Sequence, residues 1–103
     1  MIIYYIYEYI LGGINVKNQK LINENIKEVE HITEQLKYYR KVNDLIFLKY
    51  YLMMAMELLF SMVDVVKVIR NENTFEEIEL FESNIDLLVD TINLVCENEN
   101  LVS

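Results

Sequence analysis

From Ile22 the apolar residues recur at alternating steps of three and four: Ile22, Ile26, Val29, Ile32 with Thr33, Leu36 and Tyr39. That is the period of an α-helix with one buried stripe, and it predicts an amphipathic helix over about residues 18–40. A second stripe, Ile78, Phe81, Ile85, Leu88, Ile92 and Val95, keeps an unbroken 3-4-3-4-3 spacing. Such a seam suits near-parallel packing on another helix. Between the two, residues 45–69 are apolar on nearly every side. A helix of that kind needs cover on most sides, which predicts a central helix roughly 40 Å long.

The polar punctuation fits these elements. Lys41-Val42-Asn43 reads as a turn, with Asn43 or Asp44 as the N-cap of the middle helix. Asn71-Glu72-Asn73-Thr74 breaks the next pattern. Thr74-Phe75-Glu76-Glu77 has the capping-box spacing, in which the Thr hydroxyl and the Glu carboxylate close the first free N–H groups of a helix. Gly12-Gly13 predicts a boundary after the tyrosine-rich run Ile2 to Leu11. That run is expected to be a short helix, with an intermolecular strand as the alternative. The expected fold is all-α, one domain over residues 1–103: an antiparallel, up-down-up bundle of three long helices plus the short N-terminal helix. The wide apolar girdle of the middle helix and the N-terminal segment leave more apolar surface than three helices cover, which predicts a homodimer.

Composition narrows the class. At 103 residues and 53% hydrophobic, the chain is one folded domain rather than an acidic disordered tail. The sequence has no Pro and no Trp, and its Ile, Asn, Lys, Glu and Tyr content matches A/T-rich codons, so a low-GC bacterial, archaeal or viral genome is expected. The single cysteine, Cys96, excludes an intrachain disulfide and fits a reducing compartment, with the cytoplasm as the expected location. The opening apolar run lacks a basic start and a small-residue cleavage pattern, so it is not read as a signal peptide. Lys49, Glu57, Asp64 and Lys67 interrupt residues 45–69, and each charge near a bilayer centre costs roughly 2.5–3.5 kcal/mol, so no membrane span is expected.

Charge is the most informative property. The formal net charge is -8, and residues 72–103 hold nine carboxylates without one Lys or Arg. All nine bases lie between Lys17 and Arg70. Direct phosphate contact needs clustered cations, so no direct nucleic-acid binding is expected, whereas a basic protein surface is a suitable partner. Opposite the seam of the last helix lie Glu79, Glu82, Asp86, Asp90, Asn93 and Glu97. Residues four apart rise about 6 Å, a pitch at which Glu82, Asp86 and Asp90 imitate a phosphate backbone. The plainer alternative is a solvated helix face that uses acids for solubility. Tyr4, Tyr5 and Tyr7, with Tyr9, form a second candidate contact patch or else the edge of the bundle.

Candidate chemistry is sparse. Glu57, Ser61 and Asp64 share a face bracketed by Lys49 and Lys67, and carboxylates inside a bundle can hold Mg²⁺, as in all-α nucleotide pyrophosphatases. Such sites pair Glu-x-x-Glu with Glu-x-x-Asp, and Glu79/Glu82 supplies only the first, so a solvent-facing strip with Asp64 and Lys67 paired is expected instead. His31 has no second His or neighbouring Cys and reads as a surface residue; Cys96 reads as a small core residue. No Gly-rich phosphate loop, nucleophile elbow or Cys-x-x-Cys is present. No catalytic residue, metal or cofactor is expected. Lys49-Tyr50-Tyr51-Leu52-Met53-Met54-Ala55-Met56-Glu57-Leu58-Leu59, following an amphipathic helix, resembles the long-helix core of HEPN-type ribonuclease toxins. That family's Arg-x4-6-His motif is absent, so no catalytic role is carried over.

The expectation is a non-enzymatic protein-binding module. Small size, charge asymmetry and codon bias fit a phage or mobile-element inhibitor, of the anti-CRISPR or DNA-mimic kind, that engages a basic nucleic-acid-binding protein through its acidic helix. The alternatives are a helical subunit of a larger assembly and a metal-dependent nucleotide phosphohydrolase or degenerate HEPN-like protein.

Overall fold

Three helices account for almost the whole chain: α1 (Ile2–Lys41), α2 (Leu45–Glu72) and α3 (Phe75–Glu99). The structure, a computed structural model, describes the backbone of residues 2–99 and the side chains of residues 18–97. Each helix packs against the other two. Asn18, near the middle of α1, meets the end of α2, and Tyr39 near the end of α1 meets Phe47 near the start of α2, so these two helices run antiparallel. The Arg70–Glu82 contact then brings the start of α3 back beside the end of α2.

The core is where the periodicity puts it. Ile22, Val29, Ile32 and Leu36 of α1 and Phe81, Leu88, Ile92 and Val95 of α3 are buried, with Ile26, Tyr39, Ile78 and Ile85 packed half-buried around them. From α2 come Leu48, Leu52, Ala55, Met62, Val66 and Ile69. Full burial of a Leu, Ile, Val or Phe side chain contributes about 1.5–3 kcal/mol. This shared seam therefore holds the three helices together.

Two expectations are corrected. The Gly12-Gly13 boundary is absent: α1 runs as one helix from Ile2, so the N-terminal segment is neither a separate short helix nor a strand. Neither glycine takes a positive φ. Glycine permits a turn without imposing one, and in a helix interior each costs only about 1 kcal/mol relative to alanine. The second correction concerns α2, which is not covered on most sides. In a bundle of three, each helix offers one stripe to its two neighbours, and α2 leaves Ile46, Tyr50, Met53, Met56, Phe60 and Val63 exposed.

The turns follow local chemistry. Asn43 sits at φ 60, the left-handed position that ends many helices and that Asn tolerates better than most residues. Its N–H donates to the Arg40 carbonyl at 3.2 Å, and the Asp44 N–H donates to the Tyr39 carbonyl at 3.0 Å. Asp44 is the N-cap of α2, its carboxylate accepting from the Phe47 N–H at 3.3 Å. Thr74 caps α3 as expected, its hydroxyl accepting the Glu77 N–H at 3.3 Å. The Glu77 carboxylate accepts instead from the side-chain amide of Asn73, so it anchors the end of α2.

Candidate functional site

The outward side of α3 carries the candidate residues. The 3.6-residue period that turns Phe81, Leu88 and Val95 inward turns Glu79, Asp86, Asp90 and Glu97 outward, and all four are exposed. Glu82 is half-buried and bonds Arg70 of α2, Nη2 to Oε1 at 3.1 Å. The row is therefore partly neutralised near its N-terminal end. Both side chains remain substantially exposed, at 62% and 44%, so the pair contributes only about 0.2–1 kcal/mol. Among the described residues, no Lys or Arg pairs with Glu79, Asp86, Asp90 or Glu97. From Asp86 onward the row has no ion pair to another described residue.

Beside this row runs an apolar one that the charge pattern hides. Leu80, Leu87 and Leu94 recur at intervals of seven and are 54%, 42% and 43% exposed. The seven-residue step is legible in the sequence, but with three leucines it looks like part of a core seam until the packing shows which side is covered. α3 thus presents acids and leucines together. Tyr4, Tyr5 and Tyr7, the other half of the predicted contact set, lie outside the described side chains.

Tyr38, Tyr39, Tyr50 and Tyr51 form a cluster that sequence reading missed. Tyr39 stacks between Phe47 and Tyr51, with ring centroids 5.1 and 5.5 Å away, and Tyr38 and Tyr50 pack edge-on at 5.0 and 5.2 Å. Neighbouring tyrosines in sequence, 38/39 and 50/51, meet across the α1–α2 hairpin. Desolvation in this stack pushes the Tyr39 phenol above its usual range, with Tyr51, Tyr38 and Asp44 adding to the shift. His31 is exposed and edge-on to Tyr51 at 6.2 Å, on the rim of a cleft lined by Glu24, Asn25, Lys27 and Glu28.

Glu57, Ser61 and Asp64 are exposed on α2, and Asp64 pairs with Lys67 at 3.8 Å. They form a solvent-facing strip. Among the described residues no three His, Cys, Asp or Glu side chains converge in a geometry that would hold a metal ion. Cys96 is half-buried against the core, where burial first and the Glu97 charge second push its thiol up. Among the described residues no helix is long and apolar enough to cross a membrane. No protein-family model matches the chain, and neither the curated proteins nor the solved structures include a significant match to it.

Proposed function

We propose that this chain is a non-enzymatic binding module that engages a basic protein surface through the outer face of α3. The observation that carries the reading is the row Glu79, Asp86, Asp90 and Glu97, exposed and without a basic partner among the described residues. Asp86 and Asp90, about 6 Å apart along the helix, repel one another and destabilise the monomer slightly. A cationic partner relieves that repulsion and is drawn in by it, which raises the association rate at low salt. The step of about 6 Å from Asp86 to Asp90 suits a surface that ordinarily holds a phosphate backbone, as in a DNA-mimic inhibitor of the phage, mobile-element or anti-CRISPR kind. The partner is then a nucleic-acid-binding protein, and nucleic acid itself is repelled. A lone cysteine supports a cytoplasmic setting.

The leucines refine this reading. Leu80 and Leu87 add apolar area beside the acids, so the contact has an adhesive component that salt does not screen. A nuclease-treated lysate of a low-GC bacterium, passed over the wild type and over the Glu79→Lys/Asp86→Lys/Asp90→Lys variant, tests the proposal. Retention of a basic nucleic-acid-processing protein by the wild type alone is the expected result. Equal retention by both, with helical circular dichroism unchanged, removes the acidic face from the function.

The bare face of α2 favours a second reading, a helical subunit of a larger assembly. That reading requires the isolated chain to associate or to precipitate.

A further inference from the structure

The apolar face of α2 is not explained by an acidic binding module. Ile46, Met53 and Phe60 form one row at intervals of seven and are 82%, 59% and 72% exposed, with Tyr50 on one flank and Met56 and Val63 on the other. An aromatic side chain offers about 150–250 Å² when covered, so at these exposures the six together present on the order of 600 Å² of apolar surface. A patch of that size is at the upper end of what soluble monomers carry, where such patches are often functional. A standard interface takes about 800 Å² from each partner, and the aliphatic stems of Lys49 and Lys67, at either end of the strip, help make up the difference.

We infer that this face docks a second copy of the chain in a two-fold dimer with α2 against α2. The charge layout selects the occupant. A second copy also carries a net charge of -8, so it avoids the α3 face, where Glu79, Asp86, Asp90 and Glu97 would meet their own kind. The α2 strip is balanced: Lys49 and Lys67 against Glu57 and Asp64. It is neutral enough for two acidic chains to approach and apolar enough to hold them. The described outer face of α1, with Lys20, Glu24, Lys27, Glu28 and His31 exposed, is balanced too but has no comparable apolar strip. A two-fold dimer through α2 leaves the acidic faces of both copies in solvent.

Light scattering coupled to size exclusion, over a dilution series, tests the inference. The wild type is expected at twice the chain mass of 12.4 kDa, falling to that mass on dilution. Phe60→Glu and Met53→Glu are expected to weaken the dimer by about 30-fold or more, the scale of an interface hot spot. Their helical signal and melting should hold in a monomeric comparison, since both side chains lie outside the core; should the Glu variants unfold, Phe60→Ser and Met53→Ser replace them. Leu87→Glu on α3 should leave the dimer intact. A wild type that stays monomeric at hundreds of micromolar overturns the inference, as does a dimer that survives both α2 substitutions or is lost with Leu87→Glu alone.

Discussion

Asn18 of α1 donates its side-chain amide to the Glu72 carboxylate at 2.6 Å, across 54 positions of sequence. The same amide reaches the Asn73 side-chain oxygen at 3.1 Å, and Asn73 in turn holds Glu77 of α3. One buried asparagine thus ties α1 to the corner where α2 hands over to α3. Hydrogen bonds to charged groups are worth about 1.5–3 kcal/mol when buried, less with partial exposure. Asn18→Ala is expected to lower stability by about 1–2 kcal/mol, shifting the urea midpoint without changing the slope of the transition.

The two exposure extremes among the phenylalanines set a scale for the core. Phe81 is fully buried in the α3 seam, while Phe75, at the start of the same helix, is 77% exposed. Phe81→Ala should cost about 3–5 kcal/mol through lost burial and the cavity left behind. Phe75→Ala should stay within about 0.5 kcal/mol. Thermal melts of the two variants side by side make the comparison; similar losses would show that the core is not where this fold puts it.

Asn43 holds a left-handed backbone between α1 and α2. Asn43→Gly should be neutral or slightly stabilising, because glycine meets no steric penalty at that φ. Asn43→Val should cost about 1–2 kcal/mol, because a β-branched side chain clashes there. The difference between these two variants in chemical denaturation reads the turn directly.

α3 has no basic residue in its last turn, and Glu97 stands exposed there. A carboxylate at a helix C-terminus opposes the backbone dipole. Glu97→Lys should therefore stabilise the fold by about 0.3–1 kcal/mol at low salt, with the gain fading as ionic strength rises. A binding partner for the acidic face would feel the opposite effect.

Burial raises the Cys96 thiol and desolvation raises the Tyr39 phenol. For both groups the folded state binds the proton more tightly than the unfolded chain does. Their contribution is thus fully present below the unfolded-state values and is lost as pH rises through the folded ones. Stability should fall as pH climbs above about 8.5, the ordinary thiol value, and Cys96→Ala should flatten the first part of that decline. Reaction of Cys96 with a disulfide reagent at pH 8 should also be slower than that of an unstructured thiol peptide.

Much of the fold was legible before any coordinates, because a helix in water must hide one stripe. Ile22 to Tyr39 and Ile78 to Val95 each had a single stripe at the helical period, and the packing buried both. Asp44 and Thr74 ended their loops with side chains that satisfy free N–H groups within three residues, which is a local matter. The acidic row of α3 was legible for the same reason: the far side of a one-striped helix faces solvent. The partner that row serves is not a property of its spacing.

What the tertiary structure decided lies where local signals were permissive or degenerate. Gly12-Gly13 allows a turn and allows a helix, and α1 continues through it. α2 is apolar all round, so its sequence says how much it would bury but not which side; three-helix packing covers one side and leaves Ile46, Met53 and Phe60 bare. The capping-box spacing pairs the Glu77 carboxylate with the Thr74 N–H, and in the fold it accepts from the Asn73 side chain. Asn18, Glu72 and Asn73 met because antiparallel packing put them level, and the stacked tyrosines met for the same reason. The chain alone determined α2, α3 and the part of α1 from Asn18 on, together with the sign of each face, since period and charge are local. Long-range contacts depend on which stripes find each other, and only the folded arrangement settled those.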